Sequence, residues 1–305
     1  MDTATLSSTS RHLAAVLEPI AGQVYFSPEC NANYQALGFG EGRGIRDGLA
    51  LGNRVAYFTS RGSVMGQVSG QVVAATFAVF NPDIVIPSVD EGWKLTDAKS
   101  IFDARDRGGI AQLERILGPS PNGIDRAQQL LQRAVDPLRI EGRALFAGLR
   151  SQVMPATALG ATWRLADMLR EYRGDSHIAA WVSEGLDAVE VCLLTDAFSG
   201  QPMRTYSATR GWQTEQFDPA TERLIARGLL DASGETFTHD GREIRSRIEL
   251  NTDKQMQGAM HAIGEDLTEL MEILTPLAQA IKNAFGYPMR GPQDMAIMAA
   301  KSASK

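Results

Sequence analysis

Cysteine is almost missing from this chain: only Cys30 and Cys192 occur in 305 residues, far apart in sequence. Cys192 lies in the apolar run Val189-Glu-Val-Cys-Leu-Leu194, where a buried reduced thiol is the expected state and a disulfide is not. Histidine is also scarce. His12, His177, His239 and His261 are scattered, and no His-x3-His or Cys-x2-Cys spacing exists, so no metal site is expected. No stretch approaches the roughly 18 uninterrupted apolar residues of a membrane span. The start, Met1-Asp-Thr-Ala-Thr-Leu-Ser-Ser-Thr-Ser10, has no basic cluster before an apolar core, so a membrane is not an expected partner and the cytoplasm is the predicted address. Positive charge is in deficit, with 30 Lys+Arg against 36 Asp+Glu and a formal charge of -6. The chain as a whole therefore lacks the field that gathers nucleic-acid phosphates.

Catalytic signatures are missing too. There is no Gly-x-Ser-x-Gly, and strands do not alternate with helices as a dinucleotide-binding fold requires. Gly38-Phe-Gly-Glu-Gly-Arg-Gly44 is glycine-rich but follows no strand and lacks the GxxxxGK[ST] spacing, so it reads as a flexible loop. No cofactor is implied.

What is present is mostly helix, with 44% hydrophobic and 22% charged residues, enough for a sizeable core. Helical spacing runs through Arg11–Glu18 up to Pro19. A second helix starts at Ser27-Pro28-Glu29, where Ser caps and Pro fits the first turn, and stops at Gly38. Further helices fit Leu49–Ser60, Val68–Phe80, Thr96–Ala104, Ile110–Leu117 and Ile124–Val135. Asp83-Ile-Val-Ile-Pro87 is short enough to pass for a strand. Loop composition at Gly118-Pro-Ser-Pro-Asn-Gly123 and near Gln152-Val-Met-Pro155 places a boundary close to residue 150, giving an N-terminal helical domain over 1–150.

The second domain, 151–287, has a different pattern. Ala161–Arg173 is amphipathic on Trp163, Ala166, Leu169 and Tyr172. After a charged break at Gly174, with Asp175 or Ser176 as cap, a largely apolar helix is predicted from His177 to Leu194. Short helices at Arg204–Thr209 and Thr214–Arg227 follow. Leu229–Gly234 and Glu235–Thr238 then read as a two-stranded hairpin, and a helix starts at Asp240. A long helix from Met256 to Phe285, with Ile263, Leu267, Leu270, Leu274, Leu277 and Ile281 in a stripe, can pack on the body or form a homodimer. Residues 288–305 read as a flexible tail.

Helix, two-stranded wing and helix are the layout of a winged helix-turn-helix. The segment Arg227-Gly-Leu-Leu-Asp-Ala-Ser-Gly-Glu-Thr-Phe-Thr-His-Asp-Gly-Arg242 resembles the MarR-type wing. Together with Glu171-Tyr-Arg-Gly-Asp-Ser-His177, Ala208-Thr-Arg-Gly-Trp212, Tyr57-Phe-Thr-Ser-Arg61 and Phe80-Asn-Pro82, the chain resembles an actinobacterial family labelled helix-turn-helix. The resemblance implies a mainly α fold of two helical lobes, the second a winged helix with a short β-wing. It implies no chemistry.

DNA binding is what such a fold suggests by analogy, but fold does not carry function. From Arg204 to Lys254 eight basic residues face nine acidic ones, and both the candidate recognition helix Thr214–Arg227 and the wing tip Asp231–Glu235 carry carboxylates. The competing expectation is a small-molecule site at Leu169-Arg-Glu-Tyr-Arg-Gly-Asp-Ser-His177. Arg173 can clamp a carboxylate or phosphate, and the N–H groups of a helix starting at 176 favour an anion beside it. His177, kept neutral by that helix end, can act as a base, oriented by Glu171 or Asp175. His177, Trp181 and Glu184 share a helix face. In the first half, Tyr57 and Arg61 stand among Tyr25, Phe26, Phe58, Phe77 and Phe80, and the cation there needs a partner. Arg210 completes the candidate ligand-binding set. The expectation is a binder of an anionic or carbonyl-bearing metabolite, with His177 and Glu171 as candidate catalytic groups. A MarR-type regulator is the alternative.

Overall fold

The computed structural model describes residues 2–290, and almost all of the regular structure is helical. In chain order the helices are α1 Thr3–Gly22, α2 Pro28–Gln35, α3 Arg54–Gly62, α4 Gly70–Phe77, α5 Pro82–Leu95, α6 Ala98–Leu117 and α7 Ile124–Val135. They continue with α8 Ala144–Arg150, α9 Ala158–Val182, α10 Ala188–Phe198, α11 Thr214–Ala226, α12 His239–Gln255, α13 Gln257–Ile263 and α14 Leu267–Asn283. A two-stranded antiparallel hairpin, β1 Ile45–Arg46 and β2 Leu49–Ala50, pairs Ile45 with Ala50.

Local chemistry sets most of these boundaries. Asp2 caps α1 by accepting from the Thr5 N–H at 2.9 Å, so this helix begins well before Arg11 and runs three residues past Pro19. Asn81 caps α5 with Pro82 in its first turn, and α5 absorbs the 83–87 run as helix. α6 is one helix through Gly108 and Gly109. An added Cβ at Gly108 would lie 2.6 Å from Cys30, which is how closely α2 and α6 approach.

Buried residues fall into two clusters with bounds other than the expected halves 1–150 and 151–287. The larger joins Leu13, Ile101, Leu131, Phe146, Trp163 and Leu169 to Met260, Leu274 and Ile281 from α13 and α14. The smaller comprises Trp181, Leu194, Trp212, Phe217, Leu224 and Ile248. α9 passes from one to the other, packing on α1, α7, α8 and α12 on the way.

Four expectations are corrected. First, α9 does not break at Gly174 but runs on to Val182. Packing of the Tyr172 ring and the hydrogen bonds made by buried Arg173, Asp175 and Ser176 on both sides of the glycine outweigh a helix penalty of about 1 kcal/mol. Second, the apolar run 177–194 is not one helix: Gly185, at φ 66°, turns the chain, and Asp187 with Glu190 forms a capping box that starts α10. Third, the wing at 229–238 is a single antiparallel bridge, Leu230 to Phe237, and the two-stranded ladder is the hairpin at 45–50. Fourth, the expected helix from Met256 to Phe285 is cut at Gly264, φ 60°. Leu270, Leu274 and Ile281 of its stripe are buried against the chain's own α1, α6 and α7. Most of the expected tail lies outside the described residues.

Candidate functional site

Between the two clusters lies a partly open cavity of about 230 Å³. One wall comes from α1, α3 and the α4–α5 junction, and the floor from α9. The other wall comes from α10, α12 and the loop 199–213. The loop is held by Asp196 of α10, a fully buried carboxylate that accepts from the backbone N–H groups of Arg204 and Tyr206 at 3.0 and 2.8 Å and from the Ser207 hydroxyl at 2.6 Å. Its far end is tied to the first wall, where the Asn81 N–H donates to the Arg210 carbonyl at 3.0 Å and the Asn81 side-chain amide to the Gly211 carbonyl at 3.1 Å. Trp212 Nε1 donates to the Val79 carbonyl at 2.9 Å. These bonds deliver Tyr206 and Arg210 to the cavity, with Arg210 stacked over Phe80 and Tyr206.

Five guanidinium groups line the space, those of Arg61, Arg170, Arg173, Arg210 and Arg245, against four carboxyl groups, those of Glu18, Glu171, Asp175 and Glu249. Arg61 grips Glu171 with two bonds of 2.9 and 2.8 Å while stacking 4.3 Å over Phe77. Glu171 also accepts from Arg170 at 2.8 Å. Burial alone would raise the Glu171 carboxyl, but the two guanidinium groups hold it down at about 2. Arg173 donates through Nη2 to Glu249 at 3.3 Å and Asp253 at 3.2 Å, and Arg245 through Nη1 to Glu249 at 2.5 Å. Each keeps a terminal nitrogen with no hydrogen-bond partner among the described residues. The buried Nε atoms of Arg173, Arg210 and Arg245 also lack one. Buried N–H groups of this kind bind an anion or water if one is admitted.

The two titratable groups beside them differ. Burial, helped by the charges of Arg245 and Arg173, lowers His177 to about 4, so the ring is neutral at pH 7. Its Nδ1 lies 3.1 Å from the Thr252 hydroxyl, which spends its own proton on the Ile248 carbonyl at 2.8 Å. Thr252 must therefore accept from Nδ1–H, and Nε2 carries the free lone pair. Asp175 is raised to about 7 by burial and by the nearby charge of Glu171, although it accepts from the Phe146 N–H at 3.2 Å. Burial pushes the Cys192 thiol up to about 12, which removes it as a nucleophile at neutral pH.

Of the sequence candidates, Tyr57, Arg61, Glu171, Arg173, Asp175, His177 and Arg210 all meet at this one cavity. Trp181 and Glu184 do not line it. Trp181 is buried in the smaller cluster, and Glu184, beyond the end of α9, pairs with Arg247 at 2.7 Å. Because α9 is continuous, residue 176 offers no free helix N–H groups. Nor do Glu171 or Asp175 orient His177: Thr252 does. Asp175 is no cap of its own helix but satisfies an N–H in the first turn of α8. Arg245, Glu249, Thr252 and Tyr206 are not among the sequence candidates, and Arg170 is there only as part of the 169–177 stretch, with no role of its own. The i, i+4 pair Arg245 and Glu249 is visible in the sequence, but its approach to Arg173 comes only from α12 packing on α9. Among the described residues one set of side chains has metal-ligand proximity, His239, Asp240 and Glu243, exposed at the start of α12.

A family model described as a helix-turn-helix family matches residues 10–288. The chain belongs to that family. No curated protein and no solved structure matches it. The family description names no reaction. Among the described residues no helix is long and apolar enough to cross a membrane.

Proposed function

We propose that the protein binds a small anionic or carbonyl-bearing metabolite in the cavity between its two clusters, with Arg173 as anchor and His177 as a neutral base. The observation that carries this reading is the convergence of incompletely bonded guanidinium groups on one sheltered hollow, the arrangement that recognises a desolvated anion. Acid–base chemistry is available at the same place. His177 Nε2 can accept a proton, and Asp175, near half-protonation at pH 7, can hold or release one.

The test is native mass spectrometry of the protein taken directly from cells, with His177→Gln and Arg173→Gln alongside. Wild type is expected to carry a small anion, and both variants to lose it while keeping their far-ultraviolet circular dichroism. A ligand-free wild type whose thermal midpoint no organic anion shifts overturns the proposal.

A second reading, a ligand-responsive transcriptional regulator of MarR type, rests on the family description and the order α10, α11, the Leu230–Phe237 bridge and α12. Several details weigh against it. Residues 199–213 separate α10 from α11, whereas the paired helices of a DNA-binding unit are joined by a turn of about 3–4 residues. The guanidinium groups of Arg223, Arg227 and Arg247 are paired with Asp187, Glu190 and Glu184 of the same chain, which leaves little positive field for phosphates. A gel shift with the adjoining promoter is expected to be negative at moderate salt, and a strong salt-sensitive shift would place this reading first.

A further inference from the structure

Gly174 stands in the middle of a 25-residue helix, where glycine costs about 1 kcal/mol relative to alanine. The structure gives it no packing reason to be glycine. Most other glycines within helices are fixed by close neighbours: an added Cβ would lie 1.9 Å from Thr59 Oγ1 at Gly92 and 2.5 Å from the Val64 carbonyl at Gly148. At Gly174 the nearest neighbour of an added Cβ is Glu171 Oε2 at 3.7 Å, an ordinary contact, and no positive φ requires glycine there. The open side faces the cavity, since Gly174 lines it together with Glu171, Arg173, Asp175, His177 and Ile178. A side chain here would project into the hollow without touching the core.

Resting on the binding reading above, we propose that Gly174 is a specificity-determining position, its missing side chain leaving a strip of bare helix backbone against which a flat, single-ring carboxylate lies. Glycine is the residue that allows a ligand this close to the main chain. Three further observations select the ligand class. The cavity of about 230 Å³ is on the scale of one ring bearing a carboxylate, since an apolar cavity of roughly 150 Å³ is enough for benzene. Its five guanidinium and four carboxyl groups sum to one positive charge when Asp175 is ionised, which a monoanion neutralises and a phosphate dianion overshoots. Leu13, Leu17, Phe77, Val79 and Ile178 supply apolar wall for the ring.

The experiment uses the full chain with benzoate as probe and inorganic phosphate as comparison, read by calorimetric titration and thermal melting. Gly174→Ala is expected to raise the melting temperature of the unliganded protein by about 1–3 °C, as helix propensity dictates, while weakening benzoate severalfold. Gly174→Leu, which fills the space, is expected to weaken benzoate at least tenfold. Gly258→Ala is the control, because an added Cβ there meets only Leu138 at 3.6 Å and the residue does not line this cavity. It should leave benzoate binding unchanged.

Benzoate affinity equal to wild type in both Gly174 variants overturns the proposal. So does a fall in melting temperature for Gly174→Ala, since the glycine would then serve packing. A wild type that binds phosphate, or nothing, in place of benzoate overturns the ligand class. The anion retained from cells decides the underlying binding reading separately.

Discussion

Replacing Asp175 by Asn tests the electrostatics of the cavity floor directly. In the folded protein the Asp175 carboxyl is raised from 3.8 to about 7, foremost by burial and then by the charge of Glu171. A raised folded value means that the native state binds the proton more tightly than the unfolded chain does. The stabilisation this gives is complete below the unfolded value, declines as pH climbs through the interval, and is gone above about pH 7. A shift of roughly 3 units corresponds to about 4 kcal/mol at 1.36 kcal/mol per unit. Asn keeps an oxygen for the Phe146 N–H and has no charge to desolvate. The difference in unfolding free energy between variant and wild type should therefore move in favour of Asn by up to about 4 kcal/mol between about pH 4 and pH 8. His177, lowered from 6.5 to about 4, titrates with the opposite sign in that range, but it does so in both proteins and cancels from the difference. Urea unfolding at closely spaced pH values measures the quantity. A difference that stays flat with pH, or grows in favour of Asp at high pH, would refute the reasoning.

Glu171→Gln removes the charge that Arg61 and Arg170 share, and stranding buried guanidinium groups is expected to cost about 3–5 kcal/mol in denaturant unfolding at neutral pH. Cys30 and Cys192, both buried and pushed up to about 12, should not react with an aromatic disulfide reagent at pH 8 in the native protein. In urea both should react at once.

The charged nonapeptide 169–177 was legible as the centre of the candidate site, and the seven candidates that line the cavity were legible as polar or aromatic residues in apolar surroundings. Its local geometry was not. Glycine followed by Asp and Ser is a stop-and-cap signal, and caps are worth only about 1 kcal/mol, less than the packing of Tyr172 together with the hydrogen bonds of Arg173 and Ser176 on one continuous helix. The next break is encoded locally: Gly185 is followed by Asp187-x-x-Glu190, a capping box. Glu184 leaves the His177 face as a result, since a helical face cannot be projected past a turn, whereas Trp181 stays on α9 with His177 and is taken up by the smaller cluster. The partners of Arg173 and His177 were out of reach for another reason. Glu249, Thr252 and Asp253 lie more than 70 residues away, and pairings over that span depend on how α12 settles on α9, which short-range periodicity does not encode.

α9 is a member of both hydrophobic clusters. One rod carries Glu171, Arg173, Asp175 and His177, while the groups facing them come from elements of either cluster. The hollow exists only when both are folded and docked. Any molecule that fills it is thereby coupled to the whole chain's folding equilibrium, adding RT ln(1 + [L]/Kd) to the stability of each half at once. Occupancy should merge the melting of the two clusters into a single event.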